Sequence, residues 1–155
     1  MAYLIKGLDP ARFVHLVGLT DAKLAAQGII RMTADGRPFF PCRIRLDDAA
    51  AGESLLLVNH CSHDGNNPYR ATHAILVSET ATAAAVYEDA IPPALDRRLL
   101  SLRGFDDRGM MSDATLAKPG EADAAIRRLL ADPQVDHVDA HNAVRGCFAA
   151  RIERA

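Results

Sequence analysis

Tryptophan is absent from the 155-residue chain and aromatic residues make up only 5% of it, so a core must rest on Leu, Ile, Val and Ala. Cysteine is nearly as scarce. Cys42, Cys61 and Cys147 are odd in number, widely spaced and without a C-x-x-C pair, which argues against a disulfide framework. Reduced thiols in a cytoplasmic setting fit this usage. Long hydrophobic runs are lacking too. Leu55 to Val58 is far too short to span a bilayer, and Lys6, Asp9, Arg12 and His15 interrupt the N-terminal stretch where a signal peptide needs unbroken apolar character. No membrane partner is expected. Nor is there an excess of either charge, with 18 basic against 20 acidic residues and a formal net charge of -2. Dispersed basic residues without interleaved aromatics disfavour nucleic acid as a partner, yet local arginine clusters remain able to hold one small anion.

What is present reads as an ordinary folded domain. A chain of this length buries roughly 70% of its unfolded surface on folding, and its 49% hydrophobic and 25% charged content suits that. Tyr3 to Leu8 reads as a strand. Asp9-Pro10 then caps a helix through about Leu16, and Thr20 to Gln27 forms a second helix stopped by Gly28. Ile29 to Thr33 and Phe39 to Leu46 flank Asp35-Gly36 as a predicted β-hairpin, with Arg43 and Arg45 sharing one strand face.

Beyond it, Ser54 to Cys61 and His73 to Ser78 are predicted strands around a polar loop, Ser62 to Arg70. Thr80 to Ala90 is ambiguous, and Ala94 to Leu100 reads as a short helix after Pro92-Pro93. Leu102 to Phe105 pairs with Met110 to Leu116, and Glu121 to Ala131 is amphipathic and helical. Val135 to Asn142 and Cys147 to Ile152 close the chain as a strand pair. No repeat or linker interrupts this order. The expectation is a single α+β domain over residues 1–155, mainly antiparallel sheet with three or four helices.

Four constellations carry chemistry. Asn59-His60-Cys61-Ser62-His63-Asp64 gathers imidazoles, a thiol and a carboxylate, although His60 and Cys61 are adjacent and so leave a regular strand on opposite faces. His137, Asp139 and His141 recur every second residue, with Cα atoms roughly 7 Å apart, and so share a strand face from which they can converge on a metal such as zinc. An edge strand with one solvated polar face shows the same alternation. Further ligands would come from His60, His63 or His73.

The third constellation, Asn67-Pro68-Tyr69-Arg70-Ala71-Thr72-His73, offers a hydroxyl on a rigid ring and a planar fork for carboxylate or phosphate, with Arg43, Arg45 and Arg145 as further cations. The bland alternative has Tyr69 capping the core and Arg70 pairing with Asp64 or Glu79. In the fourth, Arg145-Gly146-Cys147-Phe148, the arginine and backbone amides suit an anion or a thiolate, and His141 is the nearest base in sequence. A buried cysteine on a strand face explains Cys147 equally.

Pro41-Cys42-Arg43, Leu55-Leu56-Leu57, Pro68-Tyr69-Arg70 and the segment His141-Asn142-Ala143-x-x-Gly146-Cys147-Phe148 resemble, in this order, the bacterial family catalogued as domain of unknown function 1203. That resemblance covers nearly the whole chain. It implies a small stand-alone cytoplasmic protein and brings no activity, cofactor or residue role with it.

Three functions remain open from the residues. The first is a pocket for a small anionic metabolite, with Arg43, Tyr69, Arg70, Asn142 and Arg145 binding it and His60, His73, His141 or Cys147 performing any catalysis. The second is a zinc-dependent hydrolase built on His137, Asp139 and His141. The third is a non-enzymatic partner-binding module. A homo-oligomer is compatible with all three.

Overall fold

The computed structural model describes every residue from Met1 to Ala155. In chain order the elements are β1 (Tyr3–Lys6), α1 (Asp21–Ala25), β2 (Ile30–Thr33), β3 (Pro41–Cys42), β4 (Asp47–Asp48), β5 (Ser54–His63) and β6 (Ala71–Ser78). There follow β7 (Val86–Glu88), α2 (Pro93–Asp96), β8 (Leu100–Phe105), β9 (Met111–Ala117), α3 (Ala122–Leu130), β10 (His137–Asn142) and β11 (Phe148–Arg154). Strands β7-β1-β11-β10-β8-β9 make one sheet, antiparallel at every step, and β2-β5-β6-β3-β4 make the second. The only parallel neighbours are β3 and β6, where Cys42 lies opposite Leu76. The fold is α+β but richer in sheet than expected, and α3 is its one substantial helix.

Local chemistry accounts for most of these elements. Thr20 caps α1 by accepting from the Lys23 amide, and α3 buries Ala122, Ile126, Leu129 and Leu130 against the six-stranded sheet while Arg127 and Arg128 pair outward with Asp123 and Asp113. Asp9 also caps, accepting from the Ala11 amide. The expected helix through Leu16 is instead two 3-10 turns, Pro10–Arg12 and Val14–Leu16. Each runs three residues and is closed by a bond from the amide three residues on, to the Pro10 and Val14 carbonyls, the usual length for such helices.

The predicted hairpin between Ile29–Thr33 and Phe39–Leu46 does not form. Gly36 does adopt the left-handed turn conformation, but β2 pairs with β5, placing Ile30 opposite Leu57 and Met32 opposite Leu55. The apolar run of β5 offers β2 a largely buried neighbour, whereas Arg43 to Leu46 leave strand geometry for a turn closed by the Leu46 amide on the Cys42 carbonyl at 2.8 Å. Arg43 and Arg45 therefore do not share a face. Arg45 pairs with Glu53 at the surface, and Arg43 turns inward.

That turn is seated by Gly7. A Cβ there would lie 1.9 Å from the Ile44 carbonyl oxygen, so only glycine lets the end of β1 run under it, with the Leu8 amide donating to the Arg43 carbonyl at 2.8 Å. Two apolar clusters flank the sheets: one of 18 buried residues under α2 and α3, and one of 14 centred on β5, β6 and the N-terminal turns. Between the sheets, where β10 and β11 face β5 and β6, runs a polar seam.

Candidate functional site

Five of the six histidines meet in this seam. His60 and His73 are direct partners across β5 and β6 and so project from one side of their sheet, toward the other sheet. His60 lies 5.7 Å from the Phe148 ring and His73 lies 4.9 Å from the His141 ring. His63 reaches the same side only because a bulge between Cys61 and His63 shifts the register, and its ring stacks on Phe105 at 4.4 Å with His137 6.4 Å away. Two further register shifts, at Ala140/His141 and Gly104/Phe105, also fall at seam residues. Bulges re-aim side chains, and here they aim them at one another.

On β10, Val138 and Ala140 enter the apolar core and His137, Asp139 and His141 take the opposite face. That face is not solvated. β10 is an interior strand between β11 and β8, and Asp139 and His141 are 1% and 2% exposed, which removes the reading of a polar edge strand. The three residues nonetheless divide between two sites. Asp139 and His137 stand beside His63, while His141 stands beside His73 and Phe148.

Electrostatics favour the neutral form of three seam imidazoles, His60, His73 and His141. Burial pushes His141 down to about 4, reinforced by the nearby Arg103 charge and opposed by its bond to the Gly146 carbonyl. Burial likewise lowers His60 and His73, helped by Arg12 and Arg103 respectively. A carbonyl can only accept, so His141 Nδ1 carries the proton 3.2 Å from Gly146 O. His73 Nε2 is buried without any partner.

Beside His73 opens a cavity of about 800 Å³. Phe39, Leu57, Ile75 and Leu76 supply apolar wall; Arg43, His73, Asn142, Arg145 and Cys147 supply its polar chemistry. Arg43 is the unusual member. The residue is 3% exposed and its guanidinium has no carboxylate partner; Nε donates to Phe148 O at 2.8 Å, Nη1 to Pro41 O at 2.6 Å and Nη2 to Cys147 Sγ at 3.1 Å. Burial pulls its pKa below the usual arginine value and the Cys147 sulfur opposes the shift. Asn142 Nδ2 also donates to Cys147 Sγ, at 3.4 Å, while its Oδ1 is buried and unpartnered. Arg97 and Arg98, on the far wall, are tied to Asp48 at 2.8 and 2.5 Å.

Of the residues nominated from sequence, Arg43, His73, Asn142, Arg145 and Cys147 share this cavity; Tyr69 and Arg70 do not line it. Their loop folds back on itself, with Arg70 donating to the Asp64 carbonyl at 2.7 Å, and Asn67 pins it to the β8–β9 turn through the Gly109 carbonyl. Tyr69 instead meets the edge of Phe105 at 6.0 Å. His60 and His141 sit in the seam behind the cavity. Sequence reasoning overlooked Arg97, Arg98, Arg103 and Arg151, whose positions depend on strand pairing between distant segments.

A family model described as "Protein of unknown function (DUF1203)" matches residues 39–154. The chain belongs to this family. No curated protein and no solved structure matches it. The DUF1203 match takes in β3 to β11, and with them the whole cavity wall from Phe39 onward and all five seam histidines. What lies outside it is β1, α1 and β2, with the N-terminal turns between β1 and α1. No helix of this DUF1203 protein is long and apolar enough to cross a membrane.

Thiol accessibility offers a direct check on the cavity. Cys42 is buried and Cys61 donates to the His63 carbonyl within its own strand, whereas half-buried Cys147 opens onto the cavity. Iodoacetamide followed by peptide mapping should modify Cys147 first and leave Cys42 intact. Faster labelling of Cys42 would mean the cavity does not expose Cys147 as described.

Proposed function

We propose that the protein binds a small amphiphilic anion, a carboxylate or phosphate with an apolar body, in the cavity beside Arg43. The supporting observation is the buried Arg43 guanidinium on that wall without an acidic partner. Buried charges are paired in folded proteins, because an isolated one costs several kcal/mol. Arginine stays protonated at neutral pH and has five N–H donors, of which three are engaged. Arg43, exposed Arg145 at the rim, Asn142 and His73 all line this one volume. Its size falls within the range of about 300–1,000 Å³ typical of small-molecule sites, and the apolar wall selects the ligand's body.

Cys147 adds a second possibility at the same place. Two N–H donors aimed at one sulfur are the bonds a thiolate accepts, so an electrophilic ligand would meet a positioned nucleophile beside the neutral His73. The three unpaired cysteines suit the reducing interior of a cell.

Thermal shift with a panel of organic acids and phosphate esters tests the binding reading. A ligand at a hundred times its dissociation constant should stabilise the protein by about 2.7 kcal/mol and protect Cys147 from iodoacetamide. Arg145→Ala, which removes an exposed side chain, should weaken that ligand by about tenfold, the cost of one charge-assisted hydrogen bond. A melting temperature indifferent to the whole panel would retire the proposal.

A further inference from the structure

The seam has a second end, away from the cavity, where His63, His137 and Asp139 each bring a ligand atom within 4.8 Å of the other two. None of these residues lines the cavity. We infer that they form a binding site for a divalent transition-metal ion, held by two imidazoles and one carboxylate.

Hydrogen bonding assigns the nitrogens. His63 Nε2 lies 2.9 Å from the Gly109 carbonyl, which only accepts, so the proton is on Nε2 and the lone pair on Nδ1. His137 Nδ1 lies 2.9 Å from the Asp136 carboxylate and donates to it, which leaves the lone pair on Nε2. That nitrogen is buried and has no partner. Each imidazole is thus oriented by an acceptor on its other nitrogen, the support that metal-ligating histidines receive from carboxylates and backbone carbonyls.

The third ligand is supported in the same way. Arg151 donates to both Asp139 oxygens, at 2.7 and 2.9 Å, and is itself fixed by the Ser62 carbonyl at 2.9 Å. Each carboxylate oxygen accepts more than one partner, so the bidentate arginine orients the group and leaves lone pairs for an ion. The pair is also neutral overall, so the incoming cation does not meet a bare positive charge. Tetrahedral coordination at about 2.0–2.1 Å brings ligand atoms to about 3.4 Å from one another, a contraction that small side-chain rotations supply. Three protein ligands leave a fourth position for water or substrate, the pattern of catalytic rather than structural metal sites.

Phe105 closes one wall by stacking on both imidazoles, at 4.4 Å from His63 and 5.4 Å from His137. Asn67 covers another by joining its loop to the Gly109 carbonyl at 3.3 Å. Apolar and loop cover of this kind limits solvent access and strengthens the field of a bound ion.

Zinc titrated into untagged protein against a chromophoric chelator should bind at one equivalent. His63→Ala and His137→Ala should each weaken it about 100-fold or more, and Asp136→Ala by about 10–100-fold. Asp136 is 59% exposed and touches the site only through His137, so its variant retains the native fold and carries the test if the ligand variants do not. His141→Asn and Cys147→Ser should leave the affinity unchanged. Absence of uptake at one equivalent, uptake that survives both Asp136→Ala and His137→Ala, or uptake lost in Cys147→Ser would each overturn the assignment.

Discussion

Arg151→Met is expected to lower the unfolding free energy by about 3–5 kcal/mol, the cost of leaving a buried carboxylate without its counter-ion. Asp139 is 1% exposed and both of its oxygens depend on this one guanidinium. Methionine keeps the aliphatic reach of arginine, so little of the loss should come from packing. The same guanidinium closes the Ser62 carbonyl at the bulge of β5, so its removal also loosens the register that turns His63 inward. Exposed pairs such as Arg128 with Asp113 should cost far less by comparison, because solvent screens them. Urea denaturation at pH 7 measures the difference. The double variant Asp139→Leu/Arg151→Met should recover most of it, since removing both charges abolishes the desolvation penalty. A loss below about 1 kcal/mol in the single variant would show that the pair behaves as a solvated one.

Elements specified by local chemistry were legible from sequence. The amphipathic spacing of Ile126, Leu129 and Leu130 marks α3, and the short connection Ala143 to Gly146, ending in glycine, marks the antiparallel partnership of β10 and β11. Partner choice across long separations was not. Asp35-Gly36 signals a turn, and Gly36 makes one, but nothing near it reveals that β5 competes for β2 and wins by burying Leu55, Leu56 and Val58. β3 lies parallel to β6, a pairing with no local signature.

The site was legible in residue type and only partly in grouping. The His137, Asp139 and His141 face is real, yet a metal set drawn from alternation alone takes His141, whereas the fold gives its place to His63. The period-two rule puts His63 on the side of its sheet opposite His60, and one extra residue in β5 reverses that. Arg43 was visible as a cation, but its isolation from acids follows from the turn that Gly7 admits. Tyr69 and Arg70 were misplaced because proline and arginine in a loop reveal chemistry without direction; the bond to Asp64 sets the direction.

Burial of His60, His73 and His141 in the seam also makes it acid-labile. An unfolded histidine titrates near 6.5 and His141 in the folded protein titrates at about 4, so between these values the unfolded chain binds more protons and stability rises with pH. Stability from this residue is fully present above pH 6.5 and is lost as the pH falls through about 4. The displacement corresponds to about 3 kcal/mol. His60 and His73 shift in the same direction and steepen the loss. Around His141 the Arg103 charge and His73 oppose protonation while Asp139, already held by Arg151, favours it weakly. Urea titrations at steps from pH 7 to pH 4 should show this decline, and His141→Asn, which can still donate to the Gly146 carbonyl but does not titrate, should flatten it. An unchanged slope in that variant, or a His141 ring that titrates near 6.5 by NMR, would mean that the imidazole reaches solvent and that the seam opens far more readily than its packing implies.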